Sequence, residues 1–523
     1  MPARRACGAL AAVVALLLAG LSPGSAQAYV ASVTVGGAPV TRPLPPSFVG
    51  LAFTYSALAQ WLSPTGPVDP ALVGLIRGLT PVGHPSLRIG GESADRSWWP
   101  IQGYSRPIGI TYDLGPAWTT SARRLAQATD ARLLLGLELE ADRPRIDAVE
   151  ARELLSRIGS RYIQSFQIGN EPNLYAVIPW YRVLDGRPVI WYSKLGAPVY
   201  ARSPSFGPSQ FSAEVAAIMH VIPNYPIAGP ETNIISWTQA LIPFLEPNGR
   251  VTTLTTHAYG VNNCVKDESS DRSATVPNLL RLSSSRDLLT GKARYVSLVH
   301  RRGGQYRIDE MGAVTCTGSA GVSNTMATAL WAVDALFDAA RQGVDGVNLH
   351  TDYARINNLF SLHSFNGRWR ATVQPIYYGA LLFTHADPAG SRLLDVQGGT
   401  TARLRVWASR GRDHRLRITL INDSLDGAAT VRLRLPAAVR AATGTVERLQ
   451  APGGAYATRG VTLGGRSFGA TTSGILASPR SESVSARRGT LTVRLSTGSA
   501  ALVTLSLRAS AAAARRAPPR GGY

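Results

Sequence analysis

Short apolar runs alternate with amphipathic helical stretches from about residue 45 to residue 387, and this alternation constrains the fold most. Several runs, such as 133–137, contain almost no polar residues, which is typical of parallel strands covered by helices. The stretch 325–341 carries apolar residues at three-and-four spacing, which indicates a helix with one buried face. Eight such runs predict a (β/α)8 TIM barrel, ahead of an open doubly wound sheet. The predicted strands are 48–56, 86–91, 132–139, 163–169, 226–232, 251–259, 306–311 and 346–350.

The pattern changes beyond about residue 390. Segments such as 401–408 and 429–435 alternate between apolar and polar residues and are separated by Gly, Asp and Ser, which indicates an appended antiparallel β-sandwich domain. A β-like run at 29–35 adds a strand to it. We therefore predict a strand segment at 29–44, a catalytic barrel at 45–388 and a β-sandwich at 389–507. Residues 508–523 are rich in Ala, Arg, Pro and Gly, and we expect them to be disordered.

Residues 1–28 have the layout of a secretory signal peptide. Arg4 and Arg5 precede an apolar run from about residue 7 to 21, and small residues follow, ending at Ala28. The run is shorter than the roughly 20 residues needed to cross a membrane, which disfavours the alternative of a membrane anchor. We expect secretion after cleavage near Ala28, with no membrane partner.

The net charge of +21 is compatible with an acidic partner, but it is weak evidence for one. Three lysines stand against 51 arginines, a skew that reflects overall composition as much as ligand binding. The sequence has no RNP motif, zinc finger or helix-turn-helix signature, so we expect no nucleic-acid partner. It has neither a Gly-rich phosphate loop after the first strand nor a set of metal ligands, so we expect no cofactor and no metal.

Two carboxylates follow predicted strands. Asn170-Glu171-Pro172 ends the fourth strand, and Glu310 ends the seventh. Barrel enzymes hold their active sites at these strand ends, and strands four and seven lie on facing parts of the wall. Cleaving an acetal requires an acid for the leaving oxygen and a carboxylate for the oxocarbenium-like centre. The sequence therefore predicts a glycosidase site with Asn170 beside the sugar; the alternative is an ordinary turn and a surface carboxylate.

At this point the chain resembles a family. Asn170-Glu171-Pro172 and Glu310 look like the acid/base and nucleophile of the glycoside hydrolases with 4/7 barrels. Residues 86–99 are similar to the second-strand signature of glycoside hydrolase family 79, which contains β-glucuronidases and heparanases. The likeness covers roughly residues 45–390, and the family's β-sandwich accounts for the rest. It implies a retaining enzyme with Glu171 as acid/base and Glu310 as nucleophile.

The resemblance also implies the substrate, a β-linked glucuronic acid or its 4-O-methyl ether. The family holds the sugar carboxylate with the loop after the nucleophile, which is 311–318 in this chain. That loop lacks the aromatic residue and paired glycines of heparanase-like members, and the first strand reads Phe53-Thr54-Tyr55 where many relatives have a carboxylate. A neutral-sugar enzyme therefore stays open. The substrate-binding residues that we expect are Asn170, Tyr259, Thr315, Thr317, Gly318 and Tyr353.

Other features leave alternatives open. Trp98 and Trp99 predict either a sugar-stacking platform or packing under a loop. Glu138 is a candidate third carboxylate near the substrate, and His257 lines the pocket or is structural. The long segment 173–204 favours exo action over endo cleavage of an acidic glycan. A non-catalytic carbohydrate-binding protein is a third hypothesis, and we expect a monomer.

After the signal peptide only two cysteines remain, Cys264 and Cys316. In an oxidising compartment two cysteines indicate one disulfide rather than a metal site, and the alternative is two unrelated thiols. Because they follow the sixth and seventh predicted strands, they lie in adjacent loops on the catalytic face. We therefore predict that they pair.

Overall fold

Eight parallel strands close into a barrel in the computed structural model, which confirms the predicted fold class. The structure describes residues 28–63, 65–245, 249–353, 355–365, 368–439 and 442–506. The predicted signal peptide, apart from Ala28, and the predicted tail 508–523 lie outside the described residues. The barrel strands are β1 Val49–Phe53, β2 Ser86–Ile89, β3 Arg132–Leu137, β4 Ile163–Ile168, β5 Ile227–Gly229, β6 Val251–Asn262, β7 Gln305–Thr315 and β8 Gly346–His350.

The strands are apolar because both of their faces are covered. All five residues of β1 and all four of β2 are buried, as expected for parallel strands inside a ring of helices. Several of these helices begin with proline, whose fixed φ angle suits the first helical turn. The helices are Tyr55–Trp61, Pro70–Leu79, Pro116–Thr129, Pro144–Ile158, Pro208–Val221, Ile235–Ala240, Val276–Leu279, Ala293–Arg301, Met326–Gln342 and Pro375–Ala386.

Strands β6 and β7 are longer than predicted. They continue to pair beyond the other strands, with Asn262 opposite Thr315. Glu310 therefore lies inside β7, five residues before its end, rather than at the strand terminus. The predicted disulfide between Cys264 and Cys316 is confirmed, with a Cα–Cα distance of 5.7 Å, and it joins the ends of this two-stranded extension.

The second domain is a mostly antiparallel sheet of ten strands, as predicted. The sheet departs from the antiparallel pattern at Tyr29–Pro39, which runs parallel to Ala429–Arg434 and antiparallel to Arg392–Gln397. Buried apolar side chains from strands including Tyr29–Pro39, Arg415–Asn422 and Ala429–Arg434 pack together in one core. The other strands are Leu404–Arg410, Arg415–Asn422, Thr443–Gln450, Thr462–Leu463, Glu482–Ser485, Thr490–Leu495 and Ser499–Ser506.

The sheet domain packs directly on the barrel. Trp407 stacks on Phe337 of helix Met326–Gln342, with ring centroids 5.4 Å apart, and its Nε1 donates a hydrogen bond to Asp334 (2.7 Å). Such a buried aromatic pair with a satisfied N–H fixes one orientation of the two domains. In the part of the chain that the structure describes, we find no helix with the length and apolar character to cross a membrane.

Candidate active site

The loop after β4 holds Glu171 in a constrained conformation. Gly169, with φ of 71°, leaves no room for a side chain against the Tyr175 hydroxyl. Glu171 itself has φ of 45°, and its backbone N–H donates to the carbonyl oxygen of Glu231 (2.9 Å). Its side chain is 25% exposed, and its Oε1 lies 3.0 Å from Nδ1 of His257. The carboxyl group is thus open to solvent on one side and held by a histidine on the other.

Glu310 is surrounded by donors and positive charge. The Tyr259 hydroxyl donates to its Oε1 (2.5 Å), and Arg88 Nη1 donates to its Oε2 (2.5 Å). His350 Nδ1 lies 3.8 Å from Oε1. Burial by itself would raise the pKa of Glu310, but His257, His350, Arg88 and the hydrogen bond from Tyr259 together lower that pKa well below its ordinary value. The carboxylate is therefore ionised.

Arg88 connects the functional side chains. Its side chain, from β2, is 1% exposed and pairs with Glu231 as well as with Glu310. Its Nη2 also donates to Oδ1 of Asn170 (2.7 Å). In the sequence, Arg88 is one residue of the motif at 86–99. An arginine within a fully buried strand is itself a signal, because a buried charge is costly without partners.

A buried group lies beside the two carboxylates. Glu231, His257 and Asp309 each offer one ligand atom, and these atoms lie within 4.8 Å of one another, so in the described chain they are a set that could hold a metal ion. Although burial lowers the pKa of His257, the carboxylates of Glu310, Asp309 and Glu171 raise it to about 9. The ring nitrogens of His257 lie 3.0 Å from a Glu171 oxygen and 3.8 Å from an Asp309 oxygen. The arrangement therefore places a histidine between carboxylates of the site.

The residues predicted to bind substrate divide into two groups. Asn170 and Tyr259 contact Arg88 and Glu310 respectively, so the structure brings them to the predicted catalytic pair. The others lie on flanking loops. Thr315 ends β7, and the exposed Thr317 donates its hydroxyl to the backbone oxygen of Cys316 (2.6 Å). Gly318 O accepts from Asn263, and Tyr353 is 43% exposed.

The loop after β8 supplies a carboxylate that the sequence analysis missed. Thr54 Oγ1 donates to Oδ1 of Asp352 (3.1 Å), and the Asp352 side chain is almost fully buried. The first strand has no acid of its own in Phe53-Thr54-Tyr55, so Asp352 places one beside it from the neighbouring strand. This pairing depends on barrel closure between β8 and β1, which residue spacing alone does not predict.

Two sequence-based interpretations are settled by burial. Trp98 is 3% exposed and donates from Nε1 to Asp113 (2.8 Å), and Trp99 is 9% exposed beneath Arg157. Both therefore pack under a loop, and the stacking platform is wrong. Glu138 is fully buried, so the interpretation that it touches substrate is wrong as well.

Glu138 belongs to a second group of carboxylates behind β3. Asp147 and Glu150, from helix Pro144–Ile158, are buried next to it. Burial and mutual repulsion raise the pKa of Glu138, Asp147 and Glu150 well above their ordinary values. The ion pairs found in the described ranges include none to these three side chains, so burial and repulsion favour their protonated forms.

Comparison with known proteins supports the family assignment. Residues 406–502 match the family model of the glycosyl hydrolase family 79 C-terminal beta domain, which confirms the resemblance inferred from the sequence. No curated protein matches the sequence.

Solved structures share the complete architecture. A 4-O-α-L-rhamnosyl-β-D-glucuronidase from Fusarium oxysporum 12S is similar at 19% identity and a TM-score of 0.67, covering 91% of this chain and 100% of that one. A family 51 arabinofuranosidase from Xanthomonas axonopodis pv. citri is similar at 14% identity and a TM-score of 0.60, covering 91% and 99%. A bifunctional glucanase-xylanase from a metagenome library is similar at 14% identity and a TM-score of 0.58, covering 92% and 100%. At these identities the likeness shows the fold.

Proposed function

The chain carries the C-terminal beta domain of glycosyl hydrolase family 79, and from this premise we propose that it is a secreted, monomeric, retaining β-glucuronidase that acts at chain ends. The observation that carries the proposal is the asymmetry between the two carboxylates. Glu310 is held ionised by Arg88 and Tyr259, as a nucleophile requires. Glu171 is 25% exposed, so the leaving oxygen of a substrate, and then a water molecule, can reach its carboxyl group.

The proposed reaction is a double displacement. The Glu310 carboxylate attacks the anomeric carbon while Glu171 protonates the leaving oxygen, and a covalent glycosyl-enzyme forms. Glu171, now ionised, takes a proton from water, which attacks the same carbon and releases Glu310. Because Arg88 also pairs with Glu231, its charge keeps a partner when Glu310 becomes an ester.

Glucuronic acid is the sugar that the available evidence favours. The fungal relative is named for releasing a substituted β-D-glucuronide. In this chain Cys316, Thr317 and Gly318 have successive positive φ angles, and such turns direct backbone N–H groups toward an anion. The disulfide joins this loop to the segment after β6 at the tip of the β6–β7 extension, six residues beyond Glu310.

A panel of p-nitrophenyl β-glycosides tests the sugar assignment. We expect the glucuronide to be hydrolysed with a higher kcat/KM than the glucoside and the xyloside. A neutral glycoside preferred by about tenfold, or ~1.4 kcal/mol of transition-state binding, would contradict the glucuronidase assignment while leaving the two carboxylates in their roles.

The mechanism has its own test. The first product observed by proton NMR should be the β-anomer, and a crystal structure should place the two carboxyl groups about 5–5.5 Å apart. Release of the α-anomer would exclude retention. Glu171→Ala should retain activity on substrates with good leaving groups, which need no proton.

A further inference from the structure

The loop after β4 contains an exposed apolar surface. Three short strands, Tyr181–Leu184, Arg187–Val189 and Ala197–Val199, form a small sheet that begins ten residues after Glu171; we call residues 177–200 the insertion. Five of the sixteen exposed large apolar side chains in the described chain fall within it, which is far more than its share of the residues. Clusters of this kind mark binding surfaces. The five are Val177, Ile190, Tyr192, Leu195 and Tyr200.

Contacts at Asp95 and Arg96 join the insertion to the loop that holds Glu171. Arg96 Nη1 donates to the carbonyl oxygen of Trp180 (2.7 Å), and Trp180 Nε1 donates to the backbone oxygen of Asp95 (3.3 Å). The Asp95 carboxylate accepts from the backbone N–H of Asn170 (2.9 Å), the residue before Glu171. The insertion therefore stands on the Glu171 side of the site.

A groove separates the insertion from the loop after β2. It has a volume of about 310 Å³ and is lined by aromatic rings of the insertion and by residues 108–111. A Cβ atom at Gly109 would overlap the Trp180 ring, so glycine allows this loop to lie flat against the tryptophan. The volume is within the range of small-ligand sites, about 300–1,000 Å³.

The insertion beside the groove carries exposed basic side chains. Arg187 and Lys194 are exposed on it, whereas Arg106, which lines the groove, pairs with the half-exposed Asp113 (3.5 Å). Asp185 is the single acidic residue between positions 177 and 200. Aromatic rings bind the C–H faces of sugars, and lysine and arginine bind carboxylate or sulfate groups. An acidic oligosaccharide offers both.

We propose that the insertion binds the leaving-group side of an acidic oligosaccharide, with the sugars against Tyr192 and Trp191 and the anionic groups near Lys194 and Arg187. In the proposed reaction Glu171 contacts the glycosidic oxygen. The insertion follows Glu171 in the sequence, so we place it beside the leaving group, which is attached to that oxygen. The choice of bond that is cut rests on the function proposed above. Binding to the insertion is a separate property.

Two substrates separate the insertion from the catalytic centre. p-Nitrophenyl β-glucuronide has a small leaving group, whereas a tetrasaccharide of alternating glucuronic acid and N-acetylhexosamine, with glucuronic acid at its non-reducing end, reaches the insertion. Tyr192→Ala should lower kcat/KM on the tetrasaccharide by about tenfold and on the small glucuronide by less than about twofold. Lys194→Ala should have the same selectivity with a smaller loss.

Tyr456→Ala is the matched control, since Tyr456 is also exposed but lies in the second domain. It should leave both substrates unaffected. Equal losses on both substrates in Tyr192→Ala, or no loss on either, would overturn the proposal. So would equal losses in Lys194→Ala on the tetrasaccharide and on an oligosaccharide in which the terminal glucuronic acid is followed only by neutral sugars.

A binding measurement distinguishes this proposal from the proposed function. The Glu310→Gln protein should bind the tetrasaccharide in calorimetry, and Tyr192→Ala in that background should weaken binding by about tenfold. If the enzyme cleaves neither substrate but the binding difference persists, the proposed function fails and the insertion site stands. If cleavage occurs without any binding difference, the insertion site fails alone.

Discussion

Glu310 and Glu150 are both buried glutamates of the same barrel, yet their surroundings shift the pKa of the carboxyl group in opposite directions. Glu310 has Arg88 and Tyr259 on its carboxylate oxygens, and its pKa is lowered. Glu150 lies on the inner face of a helix with Glu138 and Asp147 as neighbours, and its pKa is raised. Burial acts in the same direction on both. The partners decide which one remains ionised.

The comparison teaches that a buried carboxyl group is not in itself a sign of function. The groups around Glu310 alternate in sign, with Arg88 between Glu231 and Glu310 and with His257 near Glu171. A buried ionised carboxylate can exist there because its charge is compensated. Behind β3 the three acids have no cation paired with them in the described chain, and burial with mutual repulsion favours their neutral forms instead.

Neutralising each glutamate in turn gives the largest contrast. Glu310→Gln should lower kcat on an aryl glucuronide by about 10⁴-fold or more, because the nucleophile is lost. Glu150→Gln should leave kcat within about twofold, since the group carries no charge to lose. Steady-state kinetics of the two purified variants checks this. Comparable losses of kcat in both variants would contradict the difference between the two glutamates.

Removing Arg88 tests whether the charges around Glu310 compensate one another. Arg88→Leu leaves Glu231 buried without its partner and should lower the free energy of unfolding by about 3–5 kcal/mol. Arg187→Leu, at an exposed position, is the control and should change it by less than about 0.5 kcal/mol. Denaturant titration measures both. An Arg88 variant as stable as the control would show that the network is not compensated as described.

The dependence of the free energy of unfolding on pH tests whether the acids behind β3 are neutral in the folded protein. Because the pKa of Glu150 is raised, the unfolded chain ionises this group at a lower pH than the folded protein does. The contribution of Glu150 to the free energy of unfolding is complete below about pH 4. It declines as the pH rises, by at most ~1.4 kcal/mol per pH unit for each such group.

Glutamine cannot ionise, so replacing Glu150 with glutamine should remove part of this loss of stability at higher pH. Glu150→Gln should be about 1–3 kcal/mol more stable than the wild type near pH 7 and equal to it near pH 4. Melting temperatures recorded across that range decide the matter. A wild type whose stability increases steadily from pH 4 to pH 7 would argue that these acids are ionised in the folded protein.

The smallest effect is expected at the disulfide. Replacing both Cys264 and Cys316 with serine should loosen the tip of the β6–β7 extension and raise KM about threefold to tenfold, with kcat nearly unchanged. Thermal melting provides the comparison, because we expect substrate binding to suffer more than global stability. A large loss of melting temperature with an unchanged KM would reverse that order.

Much of the architecture could be predicted because it depends on local patterns. Apolar runs of the right length located all eight barrel strands, and the strand count placed Glu171 and Glu310 on facing walls. The two cysteines were placed in adjacent loops by the same count. These predictions need only the period of each segment and the order of segments in a closed barrel.

The rest depends on distant contacts that no local pattern encodes. Arg88, Glu231 and Asp309 are far apart in the sequence and meet only inside the barrel. Asp147 and Glu150 illustrate the opposite difficulty, since the amphipathic rule would place acidic residues on the outer face of their helix. Trp98 and Trp99 could not be assigned without knowing what covers them.

The pairing of Tyr29–Pro39 with the second domain has a consequence for how the chain is made. Thr34 pairs with Gln397, 363 positions later, and Val33 and Val35 belong to the core of the second domain. At about 5–20 residues per second, roughly 20–70 s of synthesis separate one partner from the other. During that interval an apolar strand with free hydrogen-bonding edges has no native partner. A ribosome that stops within the barrel would therefore release a product whose first strand is exposed to pairing with other chains.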